Sequence, residues 1–299
     1  MKTNSHISPV ARAIAGVGLA LTLAAAQCCY ATPNATVEAV QMPAWVERGS
    51  ARVPLSPGME LHNGDQVRTG VNARLLLKIA DGSAVKLGEN AKLKLTDMQQ
   101  QKDGVFVAAL NVGEGAFRFT TDVFARLRGK RLVNITVATV TAGVRGTDLW
   151  GKSDVNKQIV CLIEGKIDVT PPGEQTIIMD QALQFYIREN GKSLPVGAVD
   201  PKQLAQWATE TEVAAGMGAA RRGGKWKVVL ASVDTQADAL KVYDDVRNAG
   251  YAAEIQPVKA GEKRAYNVRV VNLPSKDEAQ ALGASLKGKL GVTEPKVSM

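Results

Sequence analysis

Near the C-terminus, Lys227, Ser232, Gln256, Asn267 and Arg269 are side chains of the types that recognise a polar ligand without altering it. Two are cations and three offer amide or hydroxyl groups, so the set can donate to anions and exchange hydrogen bonds with hydroxyls and amides. Val229 is its one apolar member. Nothing in the chain matches a catalytic set as well. His62 is the only histidine outside the first 31 residues, and it adjoins the turn pair Asn63-Gly64. No cysteine and histidine cluster has metal spacing, and neither a phosphate loop nor a nucleophile elbow is present. Paired carboxylates can meet from anywhere in a fold, so acid hydrolysis is the one chemistry that composition leaves open. The expectation is a protein that is not an enzyme, with no cofactor and no metal.

These residues need a platform, and residues 225–299 read as one: strand, helix, strand, strand, helix, strand. Trp226 to Leu230 alternates apolar and exposed positions. Asp234 is placed to cap a helix with Leu240, Tyr243 and Val246 on one face, and Gly250 stands where a left-handed C-terminal residue is wanted. A second strand runs to about Val258, and Gly261-Glu262 turns into a third, Tyr266 to Val270. Pro274 to Glu278 then supplies a stop and a capping box for a helix with the stripe Ala279, Leu282 and Leu286. A short strand ends near Val297. Two helices cover one face of such a sheet and leave the other wet. Alternation sends Trp226, Val228, Tyr266, Val268 and Val270 to the helices, and Lys227, Val229, Asn267 and Arg269 outward. RNA-recognition domains share this element order, but they stack bases on aromatic residues of the central strands. No such pair points outward here, so nucleic acid is not an expected partner.

Trp226 to Val233, Ala249-Gly250-Tyr251, Tyr266 to Val270 and Ser275 to Leu282 resemble the SPOR domain, the sporulation-related repeat. The resemblance implies a ferredoxin-like or RNP-like α+β βαββαβ fold that binds peptidoglycan glycan strands stripped of their stem peptides. The mechanism expected on that reading is non-covalent: Asn267, Ser232 and Gln256 hydrogen-bond sugar hydroxyls and acetamido groups, while Lys227 and Arg269 meet lactyl carboxylates. Val229 stands where that family usually has Gln, and Val271-Asn272-Leu273 where it often has Gly-Pro-Phe.

The N-terminus suits export. Lys2 and Arg12 precede an apolar run from Ala13 to Ala26, shorter than the roughly 18 residues of a spanning helix and fitting a secretory signal. Cleavage after Cys29-Tyr30-Ala31 gives a signal peptide of residues 1–31 and no stable membrane span; an uncleaved inner-membrane anchor facing the periplasm is the alternative. Gln27 before Cys28 argues against a lipoprotein. Removal takes Lys2, Arg12 and no acid, so the formal charge of the 299-residue chain falls from +8 to +6. That excess suits an anionic wall, a membrane surface or nucleic acid. Cys161 alone remains, in the apolar run Ile159 to Ile163, and is expected to be a buried thiol.

Residues 50–195 read as all-β, punctuated by Asn63-Gly64-Asp65, Asp81-Gly82, Asp103-Gly104, Glu164-Gly165 and Asn190-Gly191. Arg74 to Ile79 and Ser83 to Leu87 form a hairpin about Asp81-Gly82. A roll, a sandwich and a short solenoid all fit. Gly64 to Gly70, Asp81-Gly82-Ser83, Val144-Arg145-Gly146-Thr147-Asp148 and Glu164-Gly165-Lys166 resemble the periplasmic FecR domain. That family's named member relays a signal to a sigma factor through a cytoplasmic segment for which no counterpart precedes the signal here. Arg145 and the basic stretch Arg126 to Arg131 read as a bulge and a solvated loop. Asp200-Pro201-Lys202 opens a helix to about Ala215, and residues 216–224 read as a flexible joint, so 200–224 is a helix and linker.

The chain is thus expected to be multidomain: a periplasmic, non-catalytic envelope protein that holds peptidoglycan through a SPOR domain beside a FecR-like scaffold or sensing module. Cell division or wall remodelling is the expected setting, with envelope or divisome proteins as further partners. A periplasmic signal-relay or protein-interaction module without glycan binding is the alternative.

Overall fold

A computed structural model describes residues 34–101, 104–121, 131–144, 146–260 and 263–299. The expected signal peptide 1–31, Asp103, Arg145, Arg126 to Lys130 and the turn Gly261-Glu262 lie outside the described residues.

From Ala35 to Ala198 the described regular elements are all strands, in two sheets. One sheet runs from Ala35–Gln41 through Arg74–Ile79, Ala84–Leu87, Asp148–Ser153 and Lys157–Glu164 to Gln184–Glu189. The other runs from Ala51–Pro54 through Ala44–Arg48, Gln66–Thr69, Lys92–Gln100, Arg131–Val137, Val140–Val144 and Ile167–Thr170 to Ile177–Met179. The long strand Phe106–Thr120 belongs to both. It changes sheets near Gly115, whose φ of +85° and contact with the Ala91 backbone leave no room for a side chain. Among the described residues every pairing is antiparallel except Phe106–Val112 with Arg131–Val137, which is not how a solenoid of stacked parallel strands is made. Both sheets feed one core: Leu75, Leu77 and Phe117 meet Leu93, Ile135 and Val169 there. The expected hairpin forms, with Ser83 donating from its backbone and hydroxyl to the Asp81 carboxylate at 2.9 and 2.8 Å.

The residues that carry the FecR resemblance turn out to hold this framework together. Asp65 is buried and accepts Arg48 Nε and Nη2 at 2.8 and 2.7 Å and the His62 amide at 2.9 Å. Burial pushes its carboxyl upward, but those donors overcome it and hold it below the ordinary range. Asp148 takes a bidentate pair from Arg118 at 2.9 and 2.7 Å. Thr147 donates to the Lys166 carbonyl at 3.0 Å, and Gly165 packs so closely on Gly146 and Thr147 that only hydrogen fits.

The segment between the two regions is attached to both. Asp200 caps the helix Pro201–Thr209 by accepting from the Lys202 amide at 2.7 Å. The helix ends at Thr209 rather than near Ala215, because residues 210–215 turn back onto the sheet: Glu210 pairs with Lys152 at 2.7 Å and Glu212 with Lys86 at 2.5 Å. Trp207 stacks on Trp150 at 4.8 Å and 11°. Residues 216–224, read from sequence as a flexible joint, are pinned. Gly216, Gly218 and Ala219 donate their amides to the buried Glu278 carboxylate at 2.7, 2.6 and 2.9 Å. Ala220–Arg221 then adds a strand beside Ala39–Val40.

The C-terminal unit has the strand order Ala253–Ala260, Lys263–Leu273, Trp226–Val233, Lys296–Ser298, all antiparallel, with helices Gln236–Asn248 and Lys276–Leu286. Thr235, not Asp234, caps the first helix, its hydroxyl accepting from the Asp238 amide at 3.1 Å. Ala239 and, as expected, Val246 are buried, with Val242 partly buried between them; Leu240 lies one residue off that stripe and is 44% exposed. Gly250 is left-handed, as expected, at φ +91°. The stripe Ala279, Leu282 and Leu286 is buried as expected.

Candidate ligand-binding face

Strand pairing decides which side chains share the face away from the helices. Arg269 lies opposite both Val229 and Glu254, and Lys296 lies opposite Val229, so Glu254, Arg269, Val229 and Lys296 form one row across four strands. Gln256, Asn267 and Ser232 form the next row. Lys227 and Ser298 form a short third. The six candidate residues therefore meet on one face.

Ser232 reaches that face only through a bulge. Strict alternation from Val229 would turn it toward the helices, but the register slips between Val229 and Ala231. Leu230 and Ala231 together face one stretch of the partner strand, and parity inverts beyond them. Ser232 is exposed, while Lys227, Val229, Gln256, Asn267 and Arg269 are half-buried.

The face is internally wired. Arg269 donates from Nε and Nη2 to Glu254 Oε1 at 2.7 and 2.6 Å, and from Nη1 to Gln256 Oε1. All three guanidinium nitrogens are thus engaged, and Glu254 is an acid that the residue types alone did not bring into view. Lys227 Nζ donates to the Met299 carbonyl at 2.8 Å. Lys296 is exposed and has no ion pair or hydrogen bond among the described residues. No aromatic side chain stands in these three rows.

Beyond Glu254 the edge of the sheet meets the β-rich region. A cleft of about 280 Å³ there is lined by Val53, Met59, Tyr243, Arg247, Tyr251 and Glu254, among others. Below it, Ala44 donates to the Gly250 carbonyl at 3.1 Å. A second cleft, of about 350 Å³, is lined by Arg74, Glu89, Glu114, Lys152, Asp154 and Glu210. Among the described residues, no three His, Cys, Asp or Glu side chains are grouped to hold a metal ion.

Residues 223–294 match the family model of the SPOR domain, and residues 65–168 that of the FecR protein. The chain carries a FecR region followed by a C-terminal SPOR domain. SPOR domains bind peptidoglycan and FecR-like domains are signal-relay modules; both are non-catalytic and belong to periplasmic or envelope proteins. Two crystal structures of a candidate anti-sigma factor from Parabacteroides distasonis, at 1.65 and 2.50 Å, are similar in part. They align at TM-score 0.40 with 14% and 15% identity, covering 74% of this chain and 91% and 90% of theirs. No curated protein matches. Among the described residues no helix is long and apolar enough to cross a membrane.

Proposed function

We propose that this protein is a non-catalytic component of the bacterial periplasm that holds peptidoglycan glycan strands on the open face of its SPOR domain. In this reading the FecR region is a scaffold or sensing module, and cell division or wall remodelling is the setting. Export follows from the signal peptide proposed for residues 1–31. One observation carries the reading: the stretch matching the SPOR domain supplies all six candidate residues and every member of the three rows except Lys296 and Ser298, which follow it. Asn267, Ser232 and Gln256 exchange hydrogen bonds with sugar hydroxyls and acetamido groups, Val229 lies under a ring, and the cations of the face receive lactyl carboxylates.

The test is co-sedimentation of the full chain with insoluble sacculi, before and after amidase removes the stem peptides. Stripping is expected to raise the bound fraction. Replacing Asn267 and Arg269 together by Ala should abolish that rise while leaving the circular dichroism spectrum unchanged, because neither side chain packs in the core. Equal binding by the wild type and the double variant would place the ligand elsewhere.

A further inference from the structure

The candidate face is expected to take an anionic sugar, yet its best anion-binding group is already occupied. An arginine fork offers a bidentate edge that matches a carboxylate. On Arg269 that edge, Nε with Nη2, is held by a single oxygen of Glu254, and one N–H of Nη1 goes to Gln256, which leaves two of the five N–H groups over. The pairing is built in by register, since Glu254 lies directly opposite Arg269 and Gln256 directly opposite Asn267. Arg269 is mostly covered, its side chain 18% exposed. Two strands away in the same row, Lys296 is exposed and unpaired among the described residues.

We propose that Glu254 is a specificity-determining residue, an internal carboxylate that occupies Arg269 and so keeps the central rows for neutral hydroxyl and amide groups. The ligand's anionic group is received instead at Lys296, on the far side of Val229. The inference rests on the glycan reading and assigns which cation of the face does the work. A carboxylate arriving at the N–H groups left on Arg269 meets a largely covered guanidinium whose charge Glu254 already balances, and the two acids repel across it. One arriving at Lys296 displaces only water. With Lys227 on the same face bonded only to a neutral carbonyl, the face therefore binds with the charge dependence of about two cations instead of three, and Glu254 sets that number.

The test uses the full chain and amidase-stripped sacculi at several salt concentrations, with Glu254→Gln, Lys296→Ala, Arg269→Ala and Glu254→Gln/Arg269→Ala. Glutamine keeps the shape and one acceptor, so the strand pairing survives. Glu254→Gln frees the guanidinium charge and should tighten binding by about fivefold to tenfold with a steeper fall in added salt, while Lys296→Ala should weaken it by about tenfold. In the Arg269→Ala background no guanidinium remains to be freed, so Glu254→Gln should tighten binding less than it does in the wild type. Wild-type binding with an inert Glu254→Gln, or with an inert Lys296→Ala, overturns the inference and leaves the glycan reading standing. Failure of every variant and of the wild type to bind stripped sacculi overturns the glycan reading itself.

Discussion

The α carbon of Gly250 lies against the indole of Trp45, so closely that a methyl group there would sit 2.5 Å from Cε2 and Cζ2. Trp45 belongs to the β-rich region and Gly250 ends a helix of the SPOR domain, so this is where one is seated on the other. Arg52 covers the indole from another side, its guanidinium carbon 4.0 Å from a ring centroid. Gly250→Ala brings two penalties, a left-handed backbone at φ +91° and steric overlap. The expected loss is about 2–4 kcal/mol. Chemical denaturation measures it, and protease nicking within residues 216–224 should accelerate in parallel.

Glu278 gives the second prediction. Replacement by Ala leaves the amides of Gly216, Gly218 and Ala219 without their acceptor in a closed environment. A cost of about 3 kcal/mol is expected, and Glu278→Gln should recover part of it because an amide oxygen still accepts. Faster exchange of those three amide protons is the specific readout.

Asp65 has a pH signature. Its folded carboxyl lies below the ordinary 3.8 because the Arg48 and His62 hydrogen bonds outweigh burial. A depressed carboxyl contributes stability above its unfolded value and loses that contribution as pH falls through the folded value. Asp65→Asn should therefore cost about 2 kcal/mol near neutrality, and the two unfolding curves should converge below pH 3.8. A constant gap down to pH 2 would assign the cost to packing instead.

Cys161 lies fully buried beside Trp150, and burial pushes its thiol up to about 12 from 9.0. The native protein should not react with a disulfide reagent at pH 8, whereas the unfolded chain should react completely. A raised thiol keeps its full contribution below the unfolded value and loses it as pH climbs toward the folded one. Stability should thus decline by about 1.4 kcal/mol per pH unit between 9 and 12 from this group.

Much of the SPOR unit was legible because each element carries its own signal. The apolar period, the left-handed Gly250 and the Ser275 cap are local and lie in plain sequence. The shortfalls are tertiary. Ser275-x-x-Glu278 reads as a reciprocal capping box, and half of it forms, with the Ser275 hydroxyl accepting from the Glu278 amide at 3.2 Å. The Glu278 carboxylate goes instead to another segment 60 residues away, which no local pattern reveals. The Glu254 and Lys296 positions depend on the register of strands on either side of the central pair, and the bulge at Leu230 depends on the partner strand. Leu240 misled because a one-residue rotation of the stripe leaves the helical period unchanged. In the β-rich region the motifs were visible but their task was not: a buried Asp beside a turn Gly looks the same in sequence whether it binds a ligand or an arginine of its own fold.

The pinning of residues 216–224 has a thermodynamic consequence. The core that holds Leu75 and Ile135 runs without a break to Val228, Val246 and Leu282. Two stretches that sequence comparison cuts apart at Gly223 therefore share a single cooperative unit, and calorimetry should show one transition whose van't Hoff and calorimetric enthalpies agree. A boundary drawn by ancestry need not be one along which the molecule comes apart.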